Sequence, residues 1–326
     1  GQKPFKFPPP DGFQPLNAAN VKPVKVIARP DQYVGATLWT GNGGAQTVSG
    51  LNHTPDFIWH KIRTITGGHQ LYDSVRGVTK RLRSDTSDAE STLNGVTAFN
   101  FDGWSMSAGN NSGENYVSWT WKAGGNKNTF NVDDVGYATA AAAGLTGGSI
   151  TPTGSSVGTK QGFSIIKYAG ANNGSAQTIP HGLSQKPDFM IVKQLTDSST
   201  AWTIYHSAIG ATKYLEFDTD AETDNAGPWN DTEPTSSVFS VGVGYNNVNR
   251  ISRNFISYHW HDVPGLQKFG SYINPSSSDG GFVELGFKPA VLIFKCVKNI
   301  SSSSGSGDWI IKDTTRSPFN NPSDGN

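Results

Sequence analysis

The stretch PDFIWHK, residues 55–61, decides how the whole chain is read, because it is written three times. PDFMIVK follows at residues 187–193 and PAVLIFK at residues 289–295. The first two are offset by 187 − 55 = 132 residues, and Lys61 and Lys193 keep the same difference. Each begins on a proline, which supplies no ladder donor and therefore suits the first position of a strand. Each then runs through apolar and aromatic residues to a lysine. VLIFK, nearly continuous in its apolar character, is the pattern of a strand covered on both faces. Self-similarity at a long period marks a repeat architecture.

Working outward, each stretch is preceded by a glycine-plus-apolar turn: SGLNHTP, HGLSQKP and LGFKP. Before those turns stand aromatic strands, YVGATLWTGNGG, GFSIIKYAGANNG and KFGSYINPSS. After them come LYDSVRGVTKRL, IYHSAIGATKYL and WIIKDTTRSP. Two copies then close on an aromatic strand, YVSWTWKAG from Tyr116 and FISYHWHDV from Phe255. In the first of these Val117, Trp119 and Trp121 face one side and Ser118 and Thr120 the other. The third copy reaches Asn326 without a counterpart of that strand, which implies an open sheet edge. The expectation is that the natural protein continues, the alternative being that another chain completes the sheet.

The predicted fold is all-β: tandem sandwich-like repeats with Gly-, Asn- and Ser-rich turns and little helix. Residues 1–27 read as the end of a preceding domain plus a proline-rich connector, with Pro8, Pro9 and Pro10 stiffening it. Repeat 1 spans 28–125, repeat 2 spans 162–264, and an incomplete repeat 3 spans 265–326. Residues 126–161 break the pattern and are expected to be a linker or insertion, with a short helix over 138–143.

Composition narrows the function. The 26 basic and 26 acidic residues balance, so no long-range field favours nucleic acid or an anionic membrane. No apolar run approaches the ~20 residues of a spanning helix, and GQKPFKFPPPDGF has no signal-peptide core. The single cysteine, Cys296, rules out an intrachain disulfide and is expected to be buried in a strand.

His206 beside Ser207 invites a hydrolase reading. The matching slots, however, are Asp73-Ser74, His206-Ser207 and Asp313-Thr314, so the residue in the place of the base changes identity between copies. Neighbours on a strand also point to opposite faces. The expected role is a strand running into a turn whose side chain bonds local backbone, with Gly77 and Gly210 supplying permissive dihedrals. His259 and His261 alternate and would reach one face, but two ligands do not make a metal site. Asp218, Asp220, Glu222 and Asp224 form an oxygen-rich string that would suit calcium, although it departs from the EF-hand pattern; a solvated loop is the plainer reading. Asp85, Asp88 and Glu90 form its counterpart in repeat 1. Most tryptophans are expected in the core. Trp229, in the turn-like GPWND with Asn230 and Asp231, is expected at the surface as a ligand contact.

GQKPFKFPPPDGFQPLNAAN resembles the segment that ends a SPRY or concanavalin-like (lamin-G-like) domain in large virion proteins of tailed phages, especially marine and cyanobacterial ones. WTGNGGAQTVSGLNHTPDFIWHK, LYDSVRGVTK and NYVSWTWKAG are similar to the repeats that follow such a domain, and the later copies extend the similarity over nearly the whole chain. Ser118 and Thr120 stand where that family usually has small residues or Cys. The resemblance implies a non-catalytic structural or adhesive virion protein, most simply a trimeric tail fibre that meets other virion proteins and a host-surface glycan. It implies no cofactor. An architectural capsid or tail decoration protein is the alternative. A polysaccharide-degrading spike is a third, needing paired carboxylates, for which Asp279 and Glu284 offer one weak candidate pair.

Overall fold

The computed structural model describes residues 26–171, 173–217, 223–225, 227–273, 281–297 and 307–317. The chain is all-β, as its alternating and continuous apolar runs require. Repeat 1 comprises β1 (Val34–Thr40), β2 (Gln46–Val48), β3 (Phe57–Ile62), β4 (Gln70–Asp73), β5 (Lys80–Arg81), β6 (Ser91–Thr92), β7 (Val96–Asn100), β8 (Gly103–Met106) and β9 (Asn115–Trp121). Its main sheet has the order β1-β9-β3-β4, and a smaller sheet, β2-β8-β7, lies against it. Between them Trp39, Ile58, Tyr72 and Tyr116 meet Val48, Val96, Trp104 and Met106 in one buried cluster. Period-2 alternation produces this: Ile58 points into the sandwich while its neighbours Phe57 and Trp59 point to the opposite face.

The next segment departs from expectation. Residues 126–161 hold β10 (Phe130–Val132), β11 (Val135–Tyr137) and β12 (Gly154–Gly158), which extend the second sheet instead of linking two domains. The stretch 138–143 forms bends and turns, not a helix. Ala140 and Leu145 instead cover Phe130, and that burial outweighs the helix propensity of an alanine run.

Repeat 2 comprises β13 (Phe163–Ala169), β14 (Gln177–Pro180), β15 (Phe189–Gln194), β16 (Thr203–His206), β17 (Lys213–Tyr214), β18 (Thr223–Asp224), β19 (Val238–Val241), a helical turn α1 (Asn246–Asn249) and β20 (Asn254–Trp260). The order β13-β20-β15-β16 repeats that of β1-β9-β3-β4 strand for strand. A second small sheet, β14-β19, encloses Ile179, Phe239, Val241 and Tyr168. Among the described residues repeat 3 contributes one hairpin, β21 (Val291–Lys295) and β22 (Trp309–Asp313), equivalent to β3-β4 and β15-β16.

The outer faces of the three units converge on one aromatic core. Phe57, Trp59, Trp119 and Trp121 of repeat 1 pack with Phe163, Ile191, Tyr258 and Trp260 of repeat 2, and Val291, Trp309 and Ile311 of repeat 3 rest against them. Each main sheet in repeats 1 and 2 is therefore buried on both faces, the physical reason their central strands read as continuous apolar runs.

Equivalent residues join the repeats head to tail. Tyr258 Oη of repeat 2 donates to Asp73 Oδ2 of repeat 1 at 2.8 Å. Trp119 Nε1, the same slot in repeat 1, donates to Asp313 Oδ2 of repeat 3 at 3.0 Å. In parallel, Trp202 Nε1 of repeat 2 donates to Arg83 O of repeat 1, and Trp309 Nε1 of repeat 3 donates to Glu216 O of repeat 2, each at 2.9 Å. Repeats 1, 2 and 3 thus stand around a pseudo-threefold axis, each touching both others.

Candidate ligand-binding site

The recurring turn after β4, β16 and β22 is structural in all three copies. Asp73 Oδ1 accepts the N–H groups of Val75 and Arg76, and Asp313 Oδ1 accepts those of Thr315 and Arg316. In repeat 2 the same place is taken by His206, whose Nδ1 accepts the Ala208 N–H at 3.0 Å. A carboxylate and an imidazole are interchangeable here because each offers an acceptor to backbone two residues on. Arg76 pairs with Asp73 where both side chains are wholly buried. Burial opposes the charge on Arg76, yet Asp73, Tyr258 and Glu90 hold its pKa above the ordinary guanidinium value.

Several sequence expectations are overturned by packing. Trp229 is 1% exposed, so it is not a surface contact. A 3-10 turn over Gly227–Trp229 tucks it against Tyr205, rings 5.9 Å apart, inside the second core. Asn230 and Asp231 beside it are exposed in left-handed conformations, at φ 54° and 49°. Cys296 is exposed, just past the end of β21. His259 is buried against His181 and Phe239, with Nε2 meeting Ser257 Oγ at 2.9 Å, whereas His261 lies beyond the end of β20 with Nδ1 on its neighbour's carbonyl. Asp218, Asp220 and Glu222 lie outside the described residues, as does Asp279, while Asp224 falls in β18. Glu284 accepts the Gly286 N–H. Asp85, Asp88 and Glu90 are drawn to different partners, Arg83, Thr86 and Arg76 respectively. Among the described residues, no three His, Cys, Asp or Glu groups are gathered to hold a metal ion.

The site that does form is a cleft of about 460 Å³ where repeats 3 and 1 meet. Its walls are aromatic. Trp59 and Trp119 stand edge-to-face at 6.2 Å, Phe217 of repeat 2 lies 5.6 Å from Trp59, and Trp309 of repeat 3 lies 5.7 Å from Phe217. Trp59 and Trp119 are buried, but Phe217 and Trp309 are half-buried. Lys61, His69, Ser84, Asp85, Asp308 and Arg316 supply the polar part of the lining.

One slot distinguishes repeat 1 from the other two at this cleft. The position at the start of the inner hairpin's second strand is Trp202, just before β16, in repeat 2 and Trp309, the first residue of β22, in repeat 3, and both insert toward the preceding repeat. Repeat 1 has His69 there, a smaller ring. Trp59 Nε1 donates to His69 Nδ1 at 2.8 Å, which leaves the neutral ring's proton on Nε2. Burial, and then the nearby Lys61 charge, lower the His69 pKa to about 4, so the ring is neutral at physiological pH. Asp85 Oδ1 fixes the backbone by accepting the His69 N–H at 2.9 Å. On the opposite wall the Arg316 guanidinium carbon sits 5.1 Å from the Trp119 ring centroid, held by Asp313 and by the Ile311 carbonyl. The arrangement offers apolar aromatic faces together with both donors and acceptors, which suits a ligand with apolar C–H faces and edge hydroxyls.

The sequence did not single out this cleft, because its walls come from three repeats and meet only when the ring closes. The one available signal was the replacement of Trp by His69 at a repeat-matched position.

Residues 29–325 match the family model described as Domain of unknown function (DUF7483). The chain belongs to that family. No curated protein and no solved structure matches it significantly. Membership of the domain of unknown function therefore covers all three repeats and assigns no chemistry to the cleft.

Proposed function

We propose that this chain is a non-catalytic adhesive component of a tailed-phage virion, a tail-fibre element whose cleft between repeats 3 and 1 contacts a host-surface glycan. The observation that carries the binding half of the reading is the half-buried Trp309–Phe217 wall facing His69, Asp85 and Arg316. Aromatic faces take the C–H surface of a pyranose, and convergent charged, imidazole and hydroxyl groups take its hydroxyls. A shared aromatic core that welds the repeats together supports the structural half, since a fibre element must hold its ligand-bearing surface rigidly. The virion location and a homotrimeric state rest on the resemblance of the repeats to those of phage structural proteins.

The test is titration of the protein with polysaccharide extracted from host envelopes, read by tryptophan fluorescence. Saturable binding that Trp309→Ala weakens at least ~10-fold is expected, as the loss of a stacking aromatic is worth more than ~1 kcal/mol. Depolymerisation of the polysaccharide would overturn the non-catalytic reading. Absence of binding would favour the decoration protein, and locating the chain on the capsid by electron microscopy would sink the tail assignment.

A further inference from the structure

A lysine holds the same hairpin loop in every repeat. Lys61 donates to the Gly67 carbonyl, Lys193 to the Thr200 carbonyl at 2.6 Å, and Lys295 to the Gly307 carbonyl. What stands over the ammonium differs. Lys193 Nζ lies 5.9 Å from the Trp202 ring centroid, and Lys295 Nζ lies 5.6 Å from that of Trp309. An indole face over an ammonium attracts it through the ring quadrupole and shields it from water. Repeat 1 has the smaller ring of His69 in the slot of those tryptophans. Lys193 is 0% exposed, whereas Lys61 is half-buried and lines the cleft. The replacement of tryptophan by His69 thus uncovers a cation inside the cleft.

Two further donors line the same space. His69 Nδ1 accepts the Trp59 indole N–H, so the ring carries its proton on Nε2. Arg316 commits Nε to Asp313 and Nη2 to the Ile311 carbonyl, and its side chain remains 25% exposed beside Trp119. Burial lowers the His69 pKa most, and the Lys61 and Arg316 charges lower it further against Asp85, so the ring lies in the field of both cations. The carboxylates nearby are unequal to them. Asp313, whose side chain is wholly buried, takes both the Trp119 indole N–H and Arg316 on one oxygen. Asp85 meets Arg83 at 2.7 Å and accepts the His69 N–H. These pairings leave Lys61 and Asp308, and Asp308 is exposed, where water screens its charge more than it screens the half-buried ammonium.

We propose that the sugar taken by this cleft is acidic, a uronate whose carboxylate is met by Lys61, His69 Nε2–H and Arg316 while its ring lies on the Trp309–Phe217 wall; this rests on the glycan reading above and adds the charge of the ligand and the residue, Lys61, that reads it. A carboxylate carried at the edge of a pyranose leaves the C–H face free to stack, so one sugar satisfies the aromatic and the cationic parts of the lining together. Hydrogen bonds between ionised partners are also about twice as strong as those between neutral ones, which favours the carboxylate over the hydroxymethyl group of a neutral hexose.

The probe is the envelope polysaccharide of the binding test, used as extracted and after carbodiimide activation with borohydride reduction, which turns each carboxylate into a hydroxymethyl group on the same chain. The parent form binds the whole protein at least ~10-fold more tightly than the reduced form, and raising NaCl from about 0.05 to about 0.5 M weakens the parent far more than the reduced form. Lys61→Met brings the parent down to the level of the reduced form, and Lys61→Arg keeps part of the preference. Trp309→Ala weakens both forms alike. Because Lys61→Met also loses its bond to the Gly67 carbonyl, the wild-type comparison of the two forms and its salt dependence decide the matter if that variant does not fold. Equal binding of the two forms that Trp309→Ala still weakens overturns the acidic class and leaves the glycan reading standing. Binding of neither form overturns both. A preference that survives in folded Lys61→Met removes Lys61 as its reader, and a preference lost on desulfation instead of reduction replaces the carboxylate with a sulfate ester.

Discussion

Removing the Asp73 carboxylate tests the joint between repeats 1 and 2 most directly. Asp73 and Arg76 are paired with both side chains at 0% exposure, and Tyr258 Oη of the next repeat donates to the same carboxylate oxygen. In Asp73→Ala the guanidinium keeps only the Lys80 and Leu71 carbonyls and a 3.4 Å contact with Glu90. A buried charge stripped of its counter-ion costs about 3–5 kcal/mol, and an orphaned tyrosine hydroxyl falls within about 1–3 kcal/mol by itself. The effects overlap, so about 4 kcal/mol is expected for the single variant, a large share of a typical domain's stability. Repeat 2 already shows how to do without the pair: it has His206 and Ile209 in these places. Asp73→His with Arg76→Ile therefore recovers at least half of the loss, because no charge is left buried. Equilibrium urea unfolding of the wild type, Asp73→His, Arg76→Ile and the double variant, with Asp73→Ala alongside and each followed by tryptophan fluorescence and by circular dichroism, closes the cycle. A single-variant cost below about 1 kcal/mol, or strictly additive effects, would show that the ion pair does not hold the repeats together.

Acid should loosen the fold above the range in which most carboxylates titrate. Burial lowers the pKa of His60 and of His181 to about 4, and places that of His259 well below the ordinary value. The stability these neutral rings contribute is full above the unfolded value near 6.5 and is lost as pH falls from there toward about 4, by up to about 3 kcal/mol for each of the first two. Thermal melts at pH 7.5 and 4.5 that coincide would contradict this. Gly103→Ala drives a Cβ to 1.9 Å from Val48 O across the small sheet, so a loss of about 1–3 kcal/mol is expected in urea unfolding, with no change in the oligomeric state. Trp229→Ala removes a fully buried ring and costs about 3–5 kcal/mol while leaving glycan binding per folded molecule unchanged; selective loss of binding would restore the surface role. Asp313→Ala costs less than Asp73→Ala, since Arg316 is 25% exposed and water can replace its partner.

Much of this architecture was legible in the residues. The three proline-to-lysine strands, the glycine turns and the aromatic closing strands gave the repeats their register, because period and alternation are local properties of a pleated chain. The turn at Asp73, His206 and Asp313 was legible for the same reason, since its hydrogen bonds run to residues two and three positions on. Trp229 was misread because a proline-tryptophan pair between polar residues carries no local sign of whether a 3-10 turn will fold it inward. The strands of 126–161 were missed because β10 and β11 have three residues each and β12 is the glycine- and serine-rich GSSVG, which together leave almost no period to detect.

The sequence by itself determined the unit: its strands, their order, and the side chains that point to either face. Only the tertiary structure decided how the units meet. That three outer faces share one core, that Tyr258 reaches Asp73 and Trp119 reaches Asp313, and that His69 stands in the cleft at the slot where the other two repeats carry tryptophan, all depend on contacts between residues far apart in the chain, 185 and 194 positions for the two hydrogen bonds. Such contacts leave no periodicity along the chain. They exist because a sheet with two apolar faces must bury both, and one small partner sheet covers only one of them.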